Sequence, residues 1–145
     1  MPKDKNLLDM GHLRPGIHEL TLSEIEKHFC FNEYRAKLWK KAVPAIKNLF
    51  AAGVEDIYLD GSFAESKFRP EDIDGAWVPP LHMDSSRIDP VFWDFKNQRA
   101  AMKKKYGVDF FPANALESPK GKTFLEFFQK TRDGQEKGII KVKLE

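Results

Sequence analysis

Two acidic residues, Asp72 and Asp74, stand one residue apart at the start of an apolar stretch. In a β-strand, residues with this spacing point to the same face and lie about 7 Å apart along the backbone. Neighbouring carboxylates repel each other unless a cation lies between them, and Mg²⁺ takes oxygen ligands of this kind. The pair therefore predicts a divalent-cation site.

Gly61-Ser62 precedes the acidic pair, with nine residues between the two motifs. Glycine allows a turn in which backbone N–H groups approach phosphate oxygens. Lys67 lies in the intervening segment, where a cation would be near those phosphates; the alternative is an exposed lysine without a role at the site. Together, Gly61, Ser62, Lys67 and the acidic pair predict a site for a metal-bound triphosphate.

A third acid, Asp109, lies between Val108 and Phe110 in a predicted strand, where an acid is costly to bury without a partner. Two cations that hold a triphosphate need more than two carboxylates, so Asp109 is the candidate third ligand. The alternative is that Asp72 and Asp74 only cap the start of a strand, while Asp109 pairs with a lysine.

Composition indicates one globular domain. The chain has 145 residues, of which 41% are hydrophobic and 12% aromatic, enough for a well-filled core. The net charge of +2 does not require a nucleic-acid partner. The single cysteine, Cys30, cannot form an internal disulfide and is interpreted as a small buried hydrophobe. Neither a bilayer-spanning apolar run nor the apolar core of a signal peptide is present, which predicts a cytoplasmic protein without a membrane partner.

The secondary-structure pattern predicts an α+β fold, with a mobile lead-in over residues 1–14 and a single domain over residues 15–145. Helices are predicted over residues 22–30, 33–52, 90–105 and 122–130, and strands over residues 54–59, 73–78, 108–111 and 139–144. Helices and strands alternate throughout, so the sheet should be central, with helices packed on it. Pro44 predicts a kink in the second helix, or its division into two pieces.

Two lysine clusters have a structural and a functional interpretation. Residues 103–105 are three lysines at the predicted end of a helix, where cations are favourable, and the alternative is a grip on RNA or triphosphate. Lys137, Lys141 and Lys143 indicate an edge strand protected against aggregation, and the alternative is a basic wall that faces the nucleotide or an acidic partner.

Two other kinds of site are not supported. Gly121-Lys122-Thr123 lacks the first glycine of a P-loop, because Leu116 occupies that position. The histidines and the cysteine do not have the spacing of zinc ligands.

The segment from Leu59 to Ser62, followed by Asp72-Ile73-Asp74 and Asp109, resembles the nucleotidyltransferase superfamily of DNA polymerase beta. That superfamily has a hydrophobic residue, Gly-Ser, a spacer of about this length, Asp-x-Asp, and a third acid on a later strand. The flanking stretches, residues 15–18 with Thr21 and residues 128–129 with 137–140, are similar to a small uncharacterised bacterial and phage family of minimal nucleotidyltransferase-like proteins. The resemblance spans roughly residues 13–144.

The resemblance implies a nucleotidyltransferase-like mixed sheet with flanking helices and a Mg²⁺-dependent reaction. Asp72 and Asp74 would bind Mg²⁺, and Asp109 would be a third ligand or help to deprotonate the acceptor. Gly61 and Ser62 would face the phosphates. The implied reaction transfers a nucleoside monophosphate from a nucleoside triphosphate to a hydroxyl of a protein or an RNA. A toxin–antitoxin or phage-conflict role, with a protein partner, is compatible with this family.

The sequence departs from the superfamily pattern at two positions of the motif. Gly75 replaces a bulky apolar residue, and Asp60 replaces an apolar one. In addition, nothing after residue 110 is recognisable as the helical substrate-binding domain of larger members. These departures motivate a second hypothesis, a catalytically inactive module that binds a partner protein or a nucleotide. A nucleic-acid binder that uses the lysine clusters is a third, weaker hypothesis.

Overall fold

The fold is α+β, as predicted, in a computed structural model that describes residues 8–9, 12–65, 67–112 and 138–144. The strands are β1 (Leu8–Asp9), β2 (His12–Leu13), β3 (Gly16–Thr21), β4 (Ile57–Asp60), β5 (Ile73–Trp77), β6 (Val108–Pro112) and β7 (Gly138–Lys143). The helices are α1 (Leu22–Phe29), α2 (Glu33–Ala51) and α3 (Lys96–Tyr106), with 3₁₀ helices at Gly61–Ala64 and Pro90–Trp93. The helix predicted over residues 122–130 lies outside the described residues.

A mixed sheet of five strands has the order β3-β7-β4-β5-β6. β4 runs antiparallel to both β5 and β7, whereas β3 is parallel to β7 and β5 is parallel to β6. β7 therefore lies inside the sheet, and its prediction as an edge strand is wrong. The reason is β3, which the sequence pattern did not reveal and which covers the outer edge of β7. Lys141 of β7 pairs with Asp56 at 3.0 Å.

The predicted lead-in contains ordered backbone pairing. β1 and β2 form an antiparallel pair in which Leu8 lies opposite Leu13. Leu13 has only 2% of its surface exposed and belongs to the main core. An apolar side chain that packs in this way ties the end of the lead-in to the domain.

The helices α1 and α2 contribute one side of the core. α1 begins with the predicted capping box, in which Thr21 accepts from the backbone N–H of Glu24 and the Glu24 side chain accepts from that of Thr21. α2 continues through Pro44 as one helix, so it is not divided into two pieces. The core also contains Trp39 and Trp77, both buried.

The helix predicted from Asp89-Pro90 to residue 105 is divided, which corrects that prediction. Asp89 caps the 3₁₀ helix, and α3 begins only at Lys96. Residues 97–99 inside α3 have positive φ angles of 51°, 58° and 63°. Left-handed backbone costs about 1–2 kcal/mol for each residue with a side chain, so this turn needs compensation. Arg99, the last residue of this turn, is hydrogen-bonded to Asp109 of β6.

Among the described residues, no helix is both long and apolar enough to span a membrane.

Candidate functional site

Acidic residues form a row across three adjacent strands. Asp60 of β4 is paired with Asp74 of β5, and Asp74 is in turn paired with Asp109 of β6. Paired residues of neighbouring strands project to the same face, so these three side chains lie side by side. The side chain of Asp72 is hydrogen-bonded to that of Asp74. The structure thus brings together the three predicted acids and adds Asp60, which the sequence motif had marked as a departure.

The pKa values of Asp72 and Asp74 are raised, because burial and the neighbouring carboxylates disfavour their charged forms. Burial, followed by the charges of Asp72 and Asp109, raises the pKa of Asp74 to about 8. Burial and the charge of Asp109 also raise the pKa of Asp72 above its ordinary value. Close, buried carboxylates favour a shared proton or a bound cation, since both lower their repulsion. Near neutral pH, a divalent cation could take the place of the proton between Asp72 and Asp74.

Gly61 makes room for the Asp74 carboxylate. It follows β4 directly, has a φ of +75°, and a Cβ added to it would lie 2.2 Å from Oδ2 of Asp74. Both the positive φ and the close approach require glycine. The backbone of Ser62 belongs to the 3₁₀ helix that follows, and its side chain lies outside the described part of the chain.

Replacing Gly61 with alanine should displace the Asp74 carboxylate and weaken metal binding by roughly ten-fold or more. Mn²⁺ affinity, measured by electron paramagnetic resonance or calorimetry, would report the loss. Gly53→Ala is the matched control, because Gly53 also has a positive φ (+103°) but its added Cβ would stay 3.6 Å from the nearest atom. Unchanged Mn²⁺ affinity in Gly61→Ala would show that Asp74 does not bind the metal.

Asp109 is held by two cations from α3. Nε of Arg99 donates to Oδ1 at 2.7 Å, and Nη2 lies 3.3 Å from Oδ2. Nζ of Lys103 lies 3.7 Å from Oδ2, and the Lys103 charge also opposes the rise in the pKa of Asp72. The alternative in which Asp109 pairs with a lysine therefore describes part of what the structure contains. Lys103 lies at the site as well as in the last turn of its helix.

Arg99 and Lys103 were not predicted from the sequence as partners of Asp109. In a regular helix their spacing of four residues would place both side chains on one face, just before the strand that bears Asp109, but the left-handed backbone at Arg99 interrupts that regularity. The left-handed turn at residues 97–99 has only a weak signal in the sequence, because Asn97 alone of its three residues favours positive φ.

The donor set of the row consists of carboxylate oxygens, which suit a hard cation such as Mg²⁺ better than zinc or copper. Within the described ranges, no group of three or more His, Cys, Asp or Glu side chains is arranged to hold a metal ion. Asp72 and Asp74 are the acids in direct contact, while Asp109 is engaged by Arg99 and Lys103.

Gly75 is explained by its neighbours on both sides. It is paired with Leu59 and Phe110, and a Cβ added to it would lie 2.4 Å from the carbonyl oxygen of Tyr58 and 2.9 Å from the ring of Phe110. The Phe110 ring, which is fully buried, thus fills the space that a side chain at position 75 would take. An aromatic residue that covers a glycine on the next strand is a known way to complete such a surface.

Lys67, which the sequence predicts near the phosphates, contacts helix α2 through its backbone. The side chain of Lys67 is exposed, and its backbone carbonyl accepts a hydrogen bond from Arg35 of α2.

Burial, followed by the charge of Glu26, raises the pKa of Cys30 to about 11. A thiol with this pKa is a poor nucleophile near neutral pH. Cys30 is only partly buried against the core, so its interpretation as a buried hydrophobe holds in part.

A model of a family described only as a family of unknown function, DUF6932, matches residues 6–143 of the chain. No curated protein and no solved structure matches this chain.

Proposed function

This chain belongs to DUF6932, and we propose that it is a Mg²⁺-dependent nucleotidyltransferase that acts on a hydroxyl of a protein or an RNA. The observation that supports this most is the row of Asp60, Asp74 and Asp109 with Asp72 beside it. Such a concentration of buried and half-buried carboxylates is unfavourable for the fold alone, because removal from water disfavours the charged form of each acid. Perturbed acids of this kind are candidates for a metal-dependent site.

Asp72 and Asp74 would hold the metal, since their carboxylates are already in contact and their pKa values are raised. Bound Mg²⁺ would neutralise charge on the attacking acceptor oxygen and on the leaving phosphate oxygen. Gly61 leaves space for the Asp74 carboxylate at the end of β4, next to the segment that would receive the phosphates.

The proposed transfer forms a bond between the acceptor oxygen and the α-phosphorus and breaks the bond from that phosphorus to the bridging oxygen, so that pyrophosphate leaves. Asp109 would accept the proton of the acceptor hydroxyl, as a positioned carboxylate can. Arg99 and Lys103 orient the Asp109 carboxylate from one side.

The location we propose for the protein is the cytoplasm, where a lone cysteine stays reduced. We also propose a role in a toxin–antitoxin system with a protein partner, because the resemblance to the nucleotidyltransferases is compatible with that role.

Incubation with Mg²⁺, nucleoside triphosphates labelled at the α-phosphate and a cell lysate should label a protein or an RNA. The Asp72→Asn, Asp74→Asn double variant should reduce that label at least about a hundred-fold, the order expected when an electrostatic catalytic group is lost. Asp84→Asn is the matched control, because Asp84 is an exposed aspartate in the loop before the second 3₁₀ helix and contacts Ser86 and Arg87. Absence of label with the wild type, or equal label with the double variant, would contradict the proposal.

A second function is a nucleotide- or protein-binding module without catalysis. The engagement of Asp109 by Arg99 and Lys103 favours it, since a catalytic acid would have to exchange these partners. A protein with this second function should still bind its partner when Asp72, Asp74 and Asp109 are all changed to asparagine. Loss of the partner together with metal binding in that variant would exclude this second function.

A further inference from the structure

The carboxylate of Asp109 is the one acid of the row that two cations of the described residues contact directly. Nε of Arg99 donates to one of its oxygens at 2.7 Å, and Nη2 donates to the other at 3.3 Å, so the guanidinium fork engages both. Nζ of Lys103 lies 3.7 Å from the second oxygen. Two positive charges therefore face one negative charge at this end of the row.

The position of Arg99 is fixed from two further directions. Its guanidinium carbon lies 4.5 Å from the ring centre of Phe111, which is on the same strand as Asp109. A cation is attracted to an aromatic ring at this distance. The backbone of Arg99 has a φ of 63° and follows two further left-handed residues. Such backbone persists where contacts hold it in place, so the pair of Arg99 and Asp109 is a built contact of the fold.

The other end of the row differs in its partners. The carboxylates of Asp72 and Asp74 are hydrogen-bonded to each other. Within the described ranges, the ion pairs of the row are those that Arg99 and Lys103 make with Asp109. Mg²⁺ is commonly bound through one or two carboxylates together with waters and substrate phosphates, so Asp72 and Asp74 are sufficient for one ion.

A second divalent ion in a two-metal arrangement would need Asp109. Asp109 is paired with Asp74 across the strands, and its charge contributes to the raised pKa values of both Asp72 and Asp74, so it lies near both. Metal ions of such a site lie about 3.5–4 Å apart. An ion beside Asp109 would have to displace Arg99 and would then be repelled by Lys103. This position is therefore unfavourable for a metal ion.

We propose that Arg99 is an internal counter-ion that takes the place of a second metal ion, so that the site holds one divalent cation, at Asp72 and Asp74. This inference rests on the proposed nucleotidyltransferase function and deepens it. The two cations that the sequence analysis expects become one metal ion and one guanidinium group. Asp109 then carries no metal, which agrees with its proposed role as the acceptor of a proton.

The first test counts bound Mn²⁺ in the absence of nucleotide, by equilibrium dialysis and electron paramagnetic resonance. The wild type should bind one ion for each chain. Arg99→Gln should bind a second ion, because the substitution exposes both oxygens of Asp109. Lys103→Gln is the matched control, since it removes one positive charge near the same carboxylate and leaves the fork in place. It should still bind one ion, with an affinity raised about five-fold or less, as expected for a partly exposed pair.

The second test removes the pair as a whole. Asp109→Asn combined with Arg99→Gln removes one charge of each sign, so the net charge of the site does not change. Its Mn²⁺ affinity should stay within about five-fold of the wild type. Asp74→Asn should bind Mn²⁺ roughly a hundred-fold more weakly or worse, because it removes a ligand, and even outer partners of a metal site contribute 10- to 100-fold.

A third measurement reports on the turn itself. Without metal, amide hydrogen exchange in residues 96–100 should be faster in Asp109→Asn than in the wild type, because the partner of Arg99 is lost. Saturation of the wild type with Mn²⁺ should leave the exchange of these residues unchanged, since the bound ion does not displace Arg99.

The outcomes separate this inference from the function on which it rests. Two ions in the wild type, or faster exchange in residues 96–100 on addition of Mn²⁺, would overturn the inference and leave the proposed function standing. A second ion that appears equally in Lys103→Gln, or in neither single variant, would also overturn it. If Arg99→Gln does not fold, the wild-type count and the combined variant decide. A wild type that binds no Mn²⁺ would overturn both.

Discussion

Asp74→Asn should be more stable than the wild type at about pH 8, and the advantage should be much smaller at about pH 5. The pKa of Asp74 is raised to about 8 in the folded protein by burial and by its acidic neighbours. In the unfolded chain its pKa is near the ordinary aspartate value of about 3.9. Between these values the folded state binds more protons, so the free energy of unfolding falls as pH rises through this window.

Asparagine has nearly the same shape as aspartate but no charge, so the Asp74→Asn variant lacks this decline. The difference in the free energy of unfolding at about pH 8 should be on the order of 3 kcal/mol in favour of the variant. Mg²⁺ should reverse the order. At about 1,000 times its dissociation constant, it would add about 4.1 kcal/mol to a folded state that binds it and nothing to one that does not.

Urea unfolding at both pH values, with and without Mg²⁺, measures these effects. The control is Asp84→Asn, because hydrogen bonds from Ser86 lower the pKa of Asp84 in the folded protein. Asp84 is therefore ionised in both states throughout this pH range, and its removal should leave the slope unchanged. Should Asp74→Asn be less stable than the wild type at both pH values, the carboxylates do not repel each other as described.

Gly75→Val should destabilise the protein by about 3 kcal/mol or more, as large overpacking in a core does. The superfamily pattern would suggest the opposite result, because a bulky apolar residue is usual at this position. In this chain the added Cβ would lie 2.4 Å from the carbonyl oxygen of Tyr58 and 2.9 Å from the Phe110 ring. The first obstacle is backbone of the neighbouring strand, so it cannot be relieved by a change of rotamer.

Urea unfolding of Gly75→Ala and Gly75→Val should show a graded loss, with valine the larger. Gly16→Ala is the control, since no atom lies within 4 Å of a Cβ added there. Gly16 has a φ of +110°, so its loss should be limited to backbone strain of about 1 kcal/mol. A Gly75→Val protein as stable as the wild type would mean that β4 and β6 can move apart at this point.

Local patterns in the sequence were sufficient for several elements. The capping box at Thr21 and Glu24 and the α2 helix depend on contacts between near neighbours, and both were predicted correctly, although α2 is not divided at Pro44. β4, β5, β6 and β7 were predicted from apolar runs with small shifts at their ends. β3 was not predicted, because its pairing partner β7 lies more than a hundred residues away in the chain.

The sequence by itself determined which side chains could do chemistry: Asp72, Asp74 and Asp109, with Gly61 before them. Their residue types and the period of a strand are local properties, so one sequence is sufficient to predict them. Tertiary structure decided which strands are neighbours, and thereby placed Asp60 in the row and Arg99 against Asp109. It also decided that Phe110 fills the space at Gly75 and that the buried Arg35 donates to the carbonyls of Glu65 and Lys67. These are contacts between distant parts of the chain, which depend on strand order and packing rather than on spacing in the sequence.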